Sequence, residues 1–213
     1  MNFAEAHFIL PDKAVKNRMR LFLNKQKNCE SCQACQNVIF NAQLKSSPNY
    51  QKNAQLCKDY KANADYKNVE FDPYSGGMKA IHIGHNFDKI KGDYELHVQT
   101  VGFHKGHSVI FEKESSNIIG KRFTEGLWDG KEFEIAAVET ASENNILRGL
   151  KHCASKRTTQ YAVLYYPNGG YDDAILKKAI NRYRGLAKLH DGQFLKFEKI
   201  LCVQENTIIE ITI

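Results

Sequence analysis

Glu125 and Glu134 stand nine residues apart in "RFTEGLWDGKEFEIAAVET" (residues 122–140), on either side of an Asp129-Gly130 pair. Asp-Gly between β-rich flanks is a strong signal for a two-residue hairpin turn. Such a turn brings side chains of two strands onto one face, close enough for two carboxylates to share a cation. In-line cleavage of a phosphodiester needs that arrangement, because a divalent cation neutralises the non-bridging oxygens and acidifies water. Glu95, at the start of a predicted helix, completes an oxygen-rich set that suits magnesium or manganese better than zinc. Two residues beyond Glu134, on the same face of a strand, the chain carries Ala136. A basic group introduced on that face by Ala136→Lys is expected to raise cleavage. Lys131, Lys151 and Lys156 are the nearby substitutes, although lysines at such positions are commonly solvated.

The histidines offer a second chemistry. His82 and His85 sit in "KAIHIGHNFD", and His97, His104 and His107 follow within a short span. An imidazole can act as a general base near neutral pH, and with a second histidine and a lysine it can cleave RNA through the 2′-hydroxyl without metal. The alternative is that these histidines cap turns and strand ends. Glu95 and Glu134 have structural alternatives too: an exposed glutamate favoured by a helix N-terminus, and the polar face of a half-exposed strand.

Several elements must position these groups. The spacing predicts strands over 78–84, 107–113 and 131–139 and a helix over 93–102. It also predicts a helix over 143–155, N-capped by Ser142, with Ile146, Leu147, Leu150 and Cys153 on one face. "TTQYAVLYYP" reads as a strand buried on both faces. Residues 172–189 form an amphipathic helix with basic residues off its apolar stripe, and "KFEKILCV" and "TIIEITI" are closing strands. The expected class is α/β, a mixed sheet with helices. The break at "FDPYSGG" suggests a boundary, with 1–70 a helical, cysteine-containing region and 71–213 the domain that carries the chemistry.

A net charge of +6, from 30 basic and 24 acidic residues, suits a polyanionic partner. Lys79, Lys151, Lys178 and Arg182 are the candidate nucleic-acid contacts, and binding through the late helix, where Lys177 and Arg184 also lie, should weaken steeply with salt. Neither a membrane span nor a charged-then-apolar leader is read in the sequence, so no membrane partner and a cytoplasmic site of action are expected, with delivery by another machine or a phage particle left open. Cys29, Cys32, Cys35 and Cys57 have spacing that could close on zinc; reduced thiols are the reading placed ahead of it and disulfides the third.

The order helix, strand, strand-turn-strand, helix, strand between 93 and 166 resembles the core of the PD-(D/E)xK nuclease superfamily. The Glu125–Glu134 spacing, the Asp129-Gly130 turn and Phe133 before the second glutamate resemble the C-terminal toxin domains of contact-dependent inhibition proteins and their phage-borne relatives. "SGGMKAIHIGHNFD", "YELHV", "GHSVIFEKE", "LKHCASK" and "FEKILCV" extend the resemblance over about residues 70–205. Ala136 in place of the family's lysine, and Thr124-Glu125 where a small residue and Asp are usual, depart from the pattern. The resemblance implies a PD-(D/E)xK-like core and a toxin-type nuclease acting on RNA, tRNA foremost, ahead of DNA. Glu95, Glu125 and Glu134 would be its carboxylates, with His82 or His85 assisting and a cognate immunity protein as partner. Two alternatives stay open: a nucleic-acid-binding or phage structural module that has lost the chemistry, and a zinc-binding interaction domain centred on the N-terminal cysteines.

Overall fold

A computed structural model describes residues 44–45, 48–88, 92–113, 124–156, 158–189 and 197–213. The chain divides into two compact units, Met1–Lys52 and Asn53–Ile213, and the elements below belong to the second apart from the first turn of the first helix. In chain order they are α1 (Pro48–Ala62), β1 (Tyr66–Phe71), β2 (Met78–His82), α2 (Gly92–His104), β3 (Ser108–Phe111), β4 (Gly126–Trp128) and β5 (Lys131–Ala137). Then follow α3 (Glu143–Ala154), β6 (Tyr161–Tyr165), α4 (Asp173–Leu189), β7 (Lys199–Gln204) and β8 (Thr207–Thr212). No helix among the described residues is long and apolar enough to cross a membrane.

The strands form one eight-stranded sheet in sequence order. β2–β3, β5–β6 and β6–β7 are parallel and the other neighbours antiparallel, so the sheet is mixed and the fold is α/β as expected. Parallel neighbours need crossover helices, and α2, α3 and α4 supply them. Alternation along the strands sorts the core. Val98 and Val101 of α2 pack with Phe111, Trp128, Phe133 and Leu201 on one side. Leu150 of α3 and Ile180 of α4 pack with Val138, Leu164 and Ile200 on the other.

β1 was not expected. Its polar sequence, Tyr-Lys-Asn-Val-Glu-Phe, hides an edge strand paired with β2, whose register breaks between Lys67 and Glu70 where Asn68 takes φ 52°. Cys57 of α1 packs with Met78, Ala80 and Ile110. A boundary at residue 70 would therefore divide a paired strand and a shared core, and the compact unit begins earlier, at Asn53.

The predicted hairpin is present. Asp129 and Gly130 take φ of 53° and 84°, as a two-residue turn with both central residues left-handed requires. Gly126 pairs with Phe133, Leu127 with Glu132 and Trp128 with Lys131. A Cβ at Gly126 would lie 1.9 Å from the Ile110 carbonyl oxygen, so only glycine lets β4 approach β3 there. Gly126→Ala is expected to cost about 3 kcal/mol, lowering Tm by roughly 6–12 °C in thermal unfolding followed by circular dichroism. An unchanged Tm would show that the two strands can move apart freely.

Candidate functional site

β4 reaches only as far as the Gly126–Phe133 pair, while β5 continues to Ala137 along β6. From Glu134 onward, β5 therefore has a ladder partner on one side alone among the described strands. A cavity of about 730 Å³ opens beside this gap, a size typical of small-molecule and nucleotide sites. Tyr94 and Glu95 of α2 and Glu125 line it, along with Glu134 and Ala136 of β5 and Arg148, His152 and Lys156 on or just beyond α3.

The hairpin register explains why Glu125 and Glu134 meet here. One step beyond Gly126–Phe133 sets them opposite each other, and the Glu125 N–H donates to the Phe133 carbonyl at 3.1 Å. The structure nevertheless assembles a cluster different from the three predicted glutamates. Ligand atoms of His85, Glu95 and Glu125 lie within 4.8 Å of one another. His85 Nε2 is 3.3 Å from Glu95 Oε2 and 3.9 Å from Glu125 Oε2, and Glu95 Oε1 accepts the Asp88 N–H at 3.3 Å. His85 is 6% exposed and Glu95 8%, so the cluster is largely withdrawn from water.

Each member is anchored from behind. Nδ1 of His85 faces the Glu112 carbonyl at 2.9 Å and must carry a proton to bond with it, which leaves Nε2 to face the carboxylates. The Tyr66 hydroxyl donates to Glu112 Oε2 at 2.7 Å, so β1 steadies the residue that fixes the imidazole. The ring stacks on Phe111. Burial pushes the His85 pKa down, but the Glu95 hydrogen bond, the Glu112 carbonyl and the Glu125 and Glu95 charges outweigh it, and the net shift is upward.

Two carboxylates around one neutral imidazole carry two negative charges, which one divalent cation balances. The set fits such an ion, and the nitrogen donor favours manganese over magnesium within that pair. His85, Glu95 and Glu125 are the residues that would hold it.

Glu134 faces the same cavity but is engaged elsewhere. It is 1% exposed, and its Oε1 lies 3.2 Å from Lys156 Nζ and 3.0 Å from His152 Nε2, while Oε2 has no hydrogen-bond partner among the described residues. It is therefore a buried, compensated carboxylate, unlike the half-exposed strand residue that was its structural alternative. Ala136 lines the cavity without a charge, and Lys156 brings an ammonium to Glu134 from beyond the end of α3.

The other candidates lie apart. His82 accepts the Gly84 N–H at Nδ1 and packs edge-on against Tyr66, a turn-capping role outside the cavity. Lys79 pairs with Glu70 and sits over the Phe103 ring. Lys131 pairs with Glu198, and Arg182 bonds Glu143 and Asn144. Lys151 and Lys178 are exposed on α3 and α4 and do not line the cavity. Cys29, Cys32 and Cys35 lie outside the described residues. Cys57 is a buried core thiol whose pKa burial pushes up, a poor setting for a zinc thiolate. Arg148 and His152 escaped the sequence reading, although Arg148, His152 and Lys156 recur every four residues opposite the apolar stripe.

No protein-family model matches the chain, and no curated protein does. Among solved structures, the chain is similar to a CdiA-CT/CdiI toxin and immunity complex from Burkholderia pseudomallei, at 16% identity and a TM-score of 0.44, over 59% of this chain and 89% of that chain. A likeness this distant assigns no role to any residue.

Proposed function

We propose that the cavity binds one divalent cation on His85, Glu95 and Glu125 and cleaves phosphodiester bonds of nucleic acid, RNA ahead of DNA. The observation that carries this reading is the buried imidazole–dicarboxylate cluster, facing a cavity whose other wall carries Arg148, His152 and Lys156. When bound, the cation would neutralise phosphate charge and lower the pKa of water. The chain's own residues do the rest. The Glu112 carbonyl holds His85 in one tautomer, Arg148 and Lys156 attract the phosphate from across the cavity, and Glu134 steadies Lys156. A cavity of this size suits one unstacked nucleotide, which favours single strands and loops over a regular duplex. The relation to PD-(D/E)xK nucleases, and a toxin-type role in the cytoplasm with tRNA as substrate and a cognate immunity protein as partner, come from the sequence resemblance.

A second reading, a binding module without chemistry, is favoured by Ala136. Incubating the purified protein with labelled single-stranded and duplex RNA and DNA, in manganese, magnesium or EDTA, separates the two. Cleavage of single-stranded RNA in manganese, slower in magnesium and absent in EDTA, is the expected outcome. Binding without cleavage in any metal would leave the second reading standing. Growth arrest on expression in a bacterium, relieved by Glu125→Gln, tests the toxin role.

A further inference from the structure

We propose that His152, held by the buried Glu134, accepts the proton of the attacking water. This rests on the nuclease reading above. Glu134 is 1% exposed, whereas the His152 side chain is 54% exposed on the cavity wall, so one end of the pair is fixed and the other faces the place where substrate would lie. The carboxylate Oε1 stands 3.0 Å from Nε2 and can only accept, which specifies the tautomer with the proton on Nε2. Nδ1 then carries the lone pair and has no hydrogen-bond partner among the described residues. A buried acceptor behind an exposed imidazole is the arrangement that lets a histidine take a proton and have the resulting charge stabilised at once.

Charge balance alone does not require His152. Lys156 already lies 3.2 Å from the same Glu134 oxygen and neutralises its charge. A half-exposed histidine adds little to that pair's stability. Orientation is what the second donor gains from the carboxylate. Arg148 and Lys156, four residues before and after, are the cations suited to phosphate, which leaves the imidazole between them for proton transfer. In the step, a water oxygen forms a bond to phosphorus and the bond from phosphorus to the leaving ester oxygen breaks. The water proton passes to Nδ1, the leaving oxygen takes a proton from solvent, and the imidazolium afterwards releases its own to solvent.

The test uses the full chain with manganese and a single-stranded RNA oligonucleotide. His152→Ala is expected to lower kcat about 10²- to 10³-fold with little change in KM, and added imidazole is expected to recover about tenfold of the loss. Manganese affinity, measured by calorimetry without RNA, should match the wild type. In the metal-free wild-type protein, ¹⁵N NMR of the ring should show the proton on Nε2. A proton on Nδ1, a loss confined to KM, failure of imidazole to rescue, or an unchanged kcat would each overturn the inference. Should His152→Ala stay fully active while Glu95→Gln is dead, the dyad falls and the nuclease reading stands. If the wild type cuts neither RNA nor DNA in manganese, the nuclease reading falls and the dyad with it.

Discussion

Glu95→Gln should abolish manganese-dependent cleavage and, in the absence of metal, make the protein more stable. Both effects come from one feature, the packing of Glu95 and Glu125 around His85 in a site nearly closed to water. Two buried carboxylates repel, the neutral imidazole offsets neither charge, and a second proton on it would offset only one. Glutamine keeps the shape, still accepts the Asp88 N–H and turns its NH2 toward the His85 Nε2 lone pair, so the substitution removes a charge while a hydrogen bond can form at both contacts. Cation affinity should collapse, because the remaining ligands are one imidazole and one carboxylate. The cation's stabilisation of charge in the transition state is on the order of 4 kcal/mol, so its loss lowers the rate about 10³-fold. The thermal signature is separate. Saturating manganese raises the wild-type Tm through mass action, with about 2.7 kcal/mol expected at a hundredfold excess over Kd, and leaves the variant unmoved. Calorimetric titration, thermal scans with and without manganese, and an RNA cleavage assay check the three parts. A variant that is inactive and also less stable without metal would mark Glu95 as a structural residue and remove the cation site.

Sequence alone came close to this site for physical reasons that can be named. Asp129-Gly130 demands left-handed backbone at both positions, and that local requirement fixed the hairpin and the facing of Glu125 and Glu134. The stripe of Ile146, Leu147, Leu150 and Cys153 fixed α3 to within a residue, with Ser142 accepting the Asn145 N–H as its cap. Glu95 lies in the first turn of α2, at the helix start that the spacing indicates. What escaped depends on distance in the chain. The early end of β4 opens the sheet beside Glu134, and no residue type announces where a strand ladder stops. His85 could be listed as a histidine, but its facing depends on the Glu112 carbonyl, 27 residues away. β1 was invisible because an edge strand with few apolar residues has the composition of a polar helix. His152 and Lys156 were readable as a four-residue repeat, yet their meaning rests on Glu134 being buried, a property of packing rather than of spacing.

Lys156→Ala is expected to lower kcat about 10²-fold, and adding Ala136→Lys to that variant is expected to restore at least tenfold of the loss. The reason lies in the geometry of one buried carboxylate. Glu134 is 1% exposed and Lys156 Nζ, 3.2 Å away, is the ammonium that compensates it; the lysine side chain is itself 23% exposed and reaches the cavity. Removing it leaves the carboxylate with the His152 donor alone, at a cost of about 2 kcal/mol in stability, and takes a fixed positive charge away from the phosphate. Ala136 is two residues along β5 and so on the same face as Glu134, and it lines the same cavity. A lysine there can bring an ammonium to Glu134 from the strand instead of from beyond the helix. In the wild-type background Ala136→Lys should gain little, contrary to what the sequence predicts, because Lys156 already compensates the Glu134 charge and a longer side chain at buried Ala136 must find room in the cluster it shares with Val138 and Ile146. Kinetics of the four proteins form a double-mutant cycle, and a strongly favourable coupling between the two sites is its expected result. Equal activity of Lys156→Ala and wild type would remove Lys156 from the machinery. A gain from Ala136→Lys alone, with no rescue of Lys156→Ala, would show instead that the strand position is the one the chemistry needs and that this chain works without it.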